Sequence, residues 1–249
     1  FGTYFYNFNC RPTLTDGRPN PFADARVRRA FSITIDRKGL VESVRRCGEP
    51  VATTLIPPGS IHGYESPQGL GFDPDEARRL LGEAGFADPA KLGSIELIFN
   101  KDGGHDLIAQ FIAKGWEQHL GVSMVLAQKE VKVFREQVKS GNFMISRGTW
   151  FGDYGDPTTF LDINREGDGN NDRGYSNAAY ESLMEAASDE IDLTRRAALL
   201  RSAERLLVEQ DLPLAPIFHF VQIYLFDPHR IRGITPHPRQ EQLLHLIDL

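Results

Sequence analysis

The sequence predicts an α/β fold in which a mainly parallel sheet is flanked by helices. The clearest evidence is the middle of the chain, where strand-like and helix-like patterns alternate with short joints: residues 95–99, 122–127 and 143–147 as strands, residues 107–116 and 131–139 as helices. Strands joined in this way pair in parallel through right-handed crossovers. A hydrophobic content of 41% over 249 residues also suits a globular α/β protein.

The first part of the chain supplies further elements. Residues 3–9 are aromatic and β-prone, which predicts a strand. Asp24 and Asp36 each stand where a helix N-cap is expected, and the second of these helices is predicted to run to Arg46. Residues 48–75 are rich in Pro and Gly and predict a long irregular segment, which is often functional or interfacial.

The remaining boundaries follow from caps and prolines. Asp73, followed by Pro74, predicts another helix start, and Gly121 predicts the end of the helix over 107–116. After residue 157 we expect helices over 177–190 and 194–210, a strand from Ile217 to Phe226, and then an irregular tail.

Composition excludes several functional classes. The net charge of -6 argues against broad nucleic-acid affinity, and no apolar run reaches the length of a membrane span. The scattered histidines lack the spacing of a helical zinc site, so we expect neither a metal nor a cofactor. Cys10 and Cys47 could form one disulfide or remain free thiols, and both states stay open.

The segment from Ser146 to Pro157 is the strongest candidate for a functional site. Its glycines permit close approach of a ligand, while Trp150, Phe151 and Tyr154 offer aromatic faces. Asp153 can accept from a cation, and Arg147, with Thr149 beside it, can donate to an anion. If the preceding strand is parallel to its neighbours, this loop leaves the carboxyl end of the sheet, where open α/β sheets bind ligands. The alternative is an ordinary turn with surface acids.

Four segments, taken in order, resemble the carboxyl-terminal half of the peptide-binding family (family 5) of ABC-transporter solute-binding proteins, the oligopeptide and dipeptide type. The most specific is Trp-Phe-Gly-Asp-Tyr-Gly-Asp-Pro at 150–157, which continues into Phe160-Leu161. The others are residues 3–9 with 24–31 and 35–37, the Pro-rich residues 52–58, and residues 171–180. Together they cover nearly the whole chain.

The resemblance implies two α/β lobes that close over an extended peptide, with most of the first lobe missing from this chain. Residues 1–9 would form a hinge strand, residues 10–216 the second, ligand-binding lobe, and residues 217–249 the returning hinge strand and a tail of the first lobe. It also implies that Asp153 pairs with the α-ammonium of the peptide and that Arg147 meets some ligand carboxylates. The dipeptide binders carry arginine where this chain has Gly103-Gly104-His105-Asp106, so a longer or differently ended ligand is possible.

The same resemblance implies a periplasmic or extracellular protein that delivers its ligand to the permease subunits of a membrane transporter, without enzymatic activity and as a monomer. Other hypotheses stay open. A relative of this type can bind a nickel chelate, haem or an oligosaccharide, none of which brings an α-ammonium to Asp153. A hydrolase could use Asp153 and Asp156, although carboxylates three residues apart in one turn seldom reach the separation of about 5 Å or more that glycoside hydrolysis needs. A purely structural interaction module would have no concave pocket beside Trp150.

Overall fold

The α/β class predicted from the sequence is confirmed in a computed structural model, which describes residues 1–235 and 241–248. Within these residues, one five-stranded sheet has the order β3-β2-β4-β1-β5. The strands are β1 (Gly2–Phe8), β2 (Ser94–Asn100), β3 (Ser123–Lys129), β4 (Ile145–Phe151) and β5 (Leu214–His219).

The sheet has a parallel half and an antiparallel half. β2 pairs in parallel with β3 and β4, as the alternation of strands and helices predicts. β1 lies between β4 and β5 and runs antiparallel to both. The expectation of a mainly parallel sheet therefore applies to three of the five strands, and the sheet as a whole is mixed.

The helices follow the predicted positions closely. They are α1 (Ala25–Ile33), α2 (Arg37–Leu40), α3 (Pro74–Glu83), α4 (His105–Leu120), α5 (Val131–Lys139), α6 (Thr158–Leu161), α7 (Ala178–Asp189) and α8 (Leu193–Arg205). A π-helical turn extends α2 over Val41–Arg45 and another extends α8 over Leu206–Gln210. Residues 48–73 contain no regular helix or longer strand, as predicted.

Side-chain caps explain where several helices begin. The carboxylates of Asp24, Asp36 and Asp73 each accept a hydrogen bond from a backbone N–H in the first turn of the following helix, and Asn177 does the same for α7. Gly121 ends α4 in the left-handed region at φ 68°, which glycine adopts without steric cost.

The two faces of the sheet carry different cores because successive side chains of β1 point to opposite sides. Tyr4, Tyr6 and Phe8 pack on what we call the first face, with α1, α3 and α4. Phe5 packs on the second face, with α6, α7, α8 and part of the segment between residues 55 and 64. Helix α5 covers β2 on this second face through Phe134.

Two predicted strands are displaced. The third strand was expected over residues 143–147, but β4 begins at Ile145 and ends at Phe151, because all of its residues pair with β1. The last strand was expected over Ile217–Phe226, but β5 is Leu214–His219 and includes Pro216. The register between β1 and β5 shifts next to this proline, because Tyr4 pairs with Phe218 and Phe5 with Pro216, which leaves Ile217 as an extra residue in β5.

Two further observations concern the described part of the chain. Neither Cys10 nor Cys47 is in a disulfide, which answers the question that the sequence left open. No helix among residues 1–235 and 241–248 combines the length and the apolar character needed to cross a bilayer.

Candidate ligand-binding site at the end of β4

Strand β4 projects beyond the parallel half of the sheet. β2 pairs with β4 only through Leu97 and Ile98, opposite Ile145 and Ser146. From Arg147 to Phe151, β1 is the only strand that pairs with β4 among the described residues. The backbone edge of β4 that faces β2 is therefore open along its last five residues, at the carboxyl end of the sheet.

The predicted loop over 146–157 thus divides into two parts. Its first half, including Arg147, Thr149, Trp150 and Phe151, is strand rather than loop. The second half, Gly152 to Pro157, is a turn that leads into α6. The prediction of a loop from Arg147 to Pro157 was therefore wrong for residues 147–151, because pairing with β1 keeps them extended.

Asp156 holds the turn in place. Its carboxylate accepts hydrogen bonds from the backbone N–H of Thr158 at 3.0 Å and from the hydroxyl of Thr158 at 2.8 Å. Arg196 of α8 forms a bidentate pair with the same carboxylate, at 2.6 and 3.0 Å. Partial burial raises the pKa of Asp156, but the bonds from Arg196 and Thr158 outweigh it and lower the pKa below its usual value.

Asp153 lies in the same turn, but its carboxylate has a different environment. Its backbone N–H donates to Thr159 Oγ1 at 2.9 Å, which fixes its position, whereas its side chain is exposed. Within residues 1–235 and 241–248, no hydrogen-bond donor or cation contacts its carboxylate. Tyr154 beside it is also exposed, with its hydroxyl 3.2 Å from Thr158 Oγ1. The turn therefore presents a fixed anion and an aromatic ring to solvent.

The side chain of Trp150 lies on the second face of the sheet. Its indole N–H donates to the carbonyl of Thr159 at 2.6 Å, and its ring packs at the border of the core around α8. Gly148 points to the same side, where an added Cβ would lie 2.4 Å from Cε2 of Phe5. Only glycine fits there, so the backbone of β4 and the ring of Phe5 approach closely beneath the indole.

The first face of the sheet carries the side chains of Arg147, Thr149 and Phe151. The guanidinium of Arg147 lies 5.7 Å from the ring centroid of Tyr4, and its Nε is buried without a hydrogen-bond partner in the described chain. Burial lowers the pKa of Arg147 from its usual value. Phe151 is about half exposed, and its ring centroid lies 4.7 Å from that of Phe220. The first face therefore combines exposed aromatic surface with a cation that has no acidic partner among the described residues.

His105 joins this group, although the sequence reasoning did not select it as a site residue. It is the first residue of α4, and its Nδ1 lies 3.2 Å from the hydroxyl of Tyr4. Burial, followed by the charges of Arg147 and Arg45, lowers the pKa of His105 to about 4, so the imidazole is neutral near pH 7. The signal in the sequence was Gly103-Gly104 after β2, which places the start of α4 at the carboxyl rim of the sheet.

The site residues thus lie on one strand and one turn but on three surfaces. Arg147, Thr149 and Phe151 lie on the first face, Trp150 on the second, and Asp153 and Tyr154 at the tip. The arrangement does not support acid–base catalysis by Asp153 and Asp156, because the oxygens of Asp156 are occupied by Arg196 and Thr158. It can bind a cation at the tip and an anion near Arg147.

A cavity of about 440 Å³ lies beside Trp150 on the second face. This result is contrary to the interaction-module hypothesis, which expects no concave pocket there. In the described residues, no group of three or more His, Cys, Asp or Glu side chains is placed to hold a metal ion.

Comparison with known proteins decides the family. The sequence model described as "Bacterial extracellular solute-binding proteins, family 5 Middle" matches residues 1–172. The chain belongs to this family. The resemblance drawn from the sequence is therefore confirmed, and the mixed sheet with its flanking helices is a lobe of the family 5 fold.

Individual proteins that are similar to this chain agree with this assignment. Oligopeptide-binding protein OppA of Bacillus subtilis is 30% identical over 241 residues, which are 94% of this chain and 42% of that protein. A probable deoxycholate-binding periplasmic protein of Escherichia coli, YgiS, is 32% identical over 95% of this chain and 43% of its own length. The unliganded open form of the murein tripeptide-binding protein MppA superposes with a TM-score of 0.86 at 31% identity, over 100% of this chain and 47% of that one. The chain thus spans less than half of these relatives.

Proposed function

We propose that this chain is the second ligand-binding lobe of the substrate-binding component of an ABC importer that captures peptides between two lobes. The observation that carries the proposal is the Asp153 carboxylate, which is held at the rim of the sheet by a fixed turn and has no partner in the described chain. A carboxylate so placed suits the α-ammonium of a peptide, because a desolvated ammonium needs a fixed anion.

The open edge of β4 supports an extended ligand. Residues from Arg147 to Phe151 pair with β1 on one side only, so their backbone groups on the other side are available to a peptide that runs along the strand. Main-chain hydrogen bonds of this kind give affinity without sequence selectivity, and pockets for side chains add selectivity. Trp150 and Tyr154 provide aromatic surface for such contacts, with Thr149 between Arg147 and Phe151 on the strand.

The opposite end of the ligand would meet Arg147. In this proposal the guanidinium of Arg147, which has no carboxylate partner among the described residues, binds an anionic group of the solute. His105 contacts the hydroxyl of Tyr4, whose ring lies beside the guanidinium of Arg147, so in this proposal it belongs to the same site. Since this region lacks the arginine of the dipeptide binders, we propose ligands longer than a dipeptide.

The division of the chain proposed from the sequence also has support. We propose that residues 1–9 are a hinge strand, residues 10–216 the ligand-binding lobe, and residues 217–249 the returning strand with a tail of the first lobe. Beyond β5, Ile223 and Leu225 are exposed at 62% and 101%, and Leu244 at 79%. In the proposed two-lobe protein, the first lobe would cover these apolar side chains.

The wider role follows from the family. Because family 5 is a family of extracellular solute-binding proteins, we propose a periplasmic or extracellular, non-enzymatic protein. In this role it is monomeric and delivers its ligand to the permease subunits of a membrane transporter. Closure of the two lobes around the ligand would be the hinge motion of periplasmic binding proteins.

A non-peptide solute is the second candidate. The relative named for deoxycholate suggests it, since that ligand carries a carboxylate but no ammonium. Such a solute would use the Arg147 side of the site and leave Asp153 without a partner, and the same holds for haem, a nickel chelate or an oligosaccharide.

Calorimetry on the full-length protein separates the two candidates. We expect a tetrapeptide with a free amino group to bind at least about a hundredfold more tightly than its N-acetylated form, because only the former offers an ammonium to Asp153. Equal affinities would contradict the amine anchor. A thermal-shift screen against peptides, bile acids, haem and nickel chelates provides the second measurement, because a tight ligand raises the melting temperature.

A further inference from the structure

The cavity beside Trp150 has an aromatic floor and a partly cationic wall. Phe5, Gly148 and Trp150 line it from the sheet, while Phe134 and Val138 line it from α5. The opposite wall is formed by Ile163 and by the segment from Asn170 to Arg173. It borders Gly148 and Trp150 on the same strand whose open edge is proposed to receive the peptide.

The charges around this cavity do not balance. Arg135, Lys139 and Arg173 line it, against one carboxylate, that of Asp172. Lys139 Nζ lies 3.1 Å from Asp172 Oδ1, so this pair is satisfied internally. Arg135 is exposed and has no ion-pair or hydrogen-bond partner for its side chain in the described residues. Arg147 also borders the cavity, but its guanidinium lies over Tyr4 on the other face.

Arg173 is a buried cation that forms no ion pair with a carboxylate in the part of the chain that the structure describes. It is 3% exposed and its Nη1 donates to Oδ1 of Asn164, while its Nε has no hydrogen-bond partner in the described chain. The guanidinium lies 6.0 Å from the ring centroid of Phe5. Buried cations are normally paired, because an unpaired charge in a poorly solvated site is costly. Among the described residues that line the cavity, the carboxylate of Asp172 pairs with Lys139, and none forms an ion pair with Arg173.

We propose that this cavity binds an acidic side chain, Glu or Asp, of the captured peptide. The inference rests on the proposed function and adds the class of ligand that the site prefers. Phe134, Val138 and Trp150 contact the methylene groups of the side chain, and its carboxylate meets Arg173 and Arg135. A lysine side chain would meet a net positive wall, and a glutamine side chain would leave both guanidinium groups without a counter-ion.

The test uses matched tetrapeptides and the full-length protein. In an alanine background with a free amino terminus, Glu or Gln is placed at position 2, 3 or 4. These positions are sampled because an extended chain advances about 3.3 Å per residue from the anchored ammonium. Calorimetry measures each dissociation constant. At one position we expect Glu to bind about tenfold or more tightly than Gln, as a charge-assisted pair requires.

Substitutions identify the source of this preference. Arg135→Gln removes an exposed cation from the cavity wall and should reduce the preference for Glu over Gln about threefold or more. Lys132→Gln removes the same charge from α5 at an exposed position outside the cavity and should leave the preference unchanged. Arg173→Met should reduce the preference for Glu further. Since Arg173 is buried, circular dichroism must establish that this variant folds. If it does not fold, Arg135→Gln alone tests the source of the preference.

The outcomes are distinguishable. Peptide binding with equal affinity for Glu and Gln at all three positions would overturn the acidic pocket and leave the proposed function intact. A preference for Glu that Arg135→Gln and Lys132→Gln change equally would also overturn it. If none of the peptides binds, the proposed function is refuted, and so is the proposal that the cavity binds an acidic side chain.

Discussion

Two carboxylates of this protein, Glu204 and Asp153, lie in opposite situations. Glu204 of α8 is completely buried under the Pro-rich segment, where it accepts hydrogen bonds from the backbone N–H groups of Leu55 at 2.9 Å and Ile56 at 2.8 Å. The hydroxyl of Tyr64 donates to its other oxygen at 2.7 Å. Asp153 is exposed at the rim, with no partner for its carboxylate in the described chain.

The difference shows how the two groups are used. Both oxygens of the Glu204 carboxylate accept hydrogen bonds from an irregular segment that has few backbone hydrogen bonds of its own, and these bonds fix the segment. The turn around Asp153 is fixed by hydrogen bonds that involve Asp156, Thr158 and Thr159. The carboxylate of Asp153 itself has no partner in the described chain. A polar group that the surroundings position but do not satisfy is a candidate for ligand binding, whereas a satisfied one supports the structure.

The largest effect on stability is expected at Glu204. Glu204→Ala leaves two backbone N–H groups and one hydroxyl without their acceptor, so the free energy of unfolding should fall by about 3–5 kcal/mol. Asp153→Ala, the matched control at the rim, should change it by less than about 0.5 kcal/mol. Urea denaturation of the full-length protein measures both, and equal losses would contradict the comparison.

The pH dependence of stability sharpens the same contrast. Burial raises the pKa of Glu204 from 4.5 to about 7, against hydrogen bonds from Ile56, Tyr64 and Leu55 that lower it. A group whose pKa is higher in the folded state stabilises fully below its unfolded pKa, and this contribution is lost as the pH rises through about 7. We therefore expect the contribution of Glu204 to the unfolding free energy to fall between about pH 4.5 and 7 by at most about 1.4 kcal/mol per unit.

Glu204→Gln is the control for this slope. His105 and His219, whose pKa burial lowers to about 4, act with the opposite sign as the pH falls below 6.5. The difference between the wild type and Glu204→Gln isolates the carboxyl group, because both proteins contain these histidines. A difference that is independent of pH from 4.5 to 7 would contradict the burial of a titrating Glu204.

A smaller effect is expected at Asp156. Asp156→Ala removes the acceptor for Thr158 and the partner of Arg196, which is partly exposed, so stability should fall by about 1–2 kcal/mol. Because the turn then loses its anchor, peptide affinity should fall as well. Arg196→Met is the companion variant, because it breaks the ion pair and keeps the hydrogen bonds between Asp156 and Thr158. A loss of peptide affinity in this variant would show that the ion pair positions the turn.

Much of the parallel half could be predicted from the sequence because its signals are local. Alternation in β2, helical spacing in α4 and caps such as Asp73 and Gly121 each act within one or two turns of the chain. The bounds of β4 and β5 depend instead on β1, which is more than 130 residues away from β4 in sequence. Pairing with β1 extends β4 through Gly148 to Phe151 and ends β5 at His219, and no local pattern encodes either limit.

The same distinction applies to the site. Asp153, Trp150 and Arg147 could be selected from one motif, but their division among two faces and a tip depends on β4 being a strand. His105 was missed because its contact with Tyr4 joins residues 101 positions apart. The cationic wall of Arg135 and Arg173 was missed for a similar reason, since the two lie on elements that are separate in sequence and both border the cavity.

The central claim, that Asp153 binds the α-ammonium of a peptide, is tested most directly by combining Asp153→Ala with N-acetylation of the ligand in calorimetry on the full-length protein. Each change alone should weaken binding by about 3–4 kcal/mol, two to three decades in the dissociation constant. If the two groups contact each other, the acetylated peptide should bind the variant no more weakly than it binds the wild type. Losses that add in full would contradict the claim.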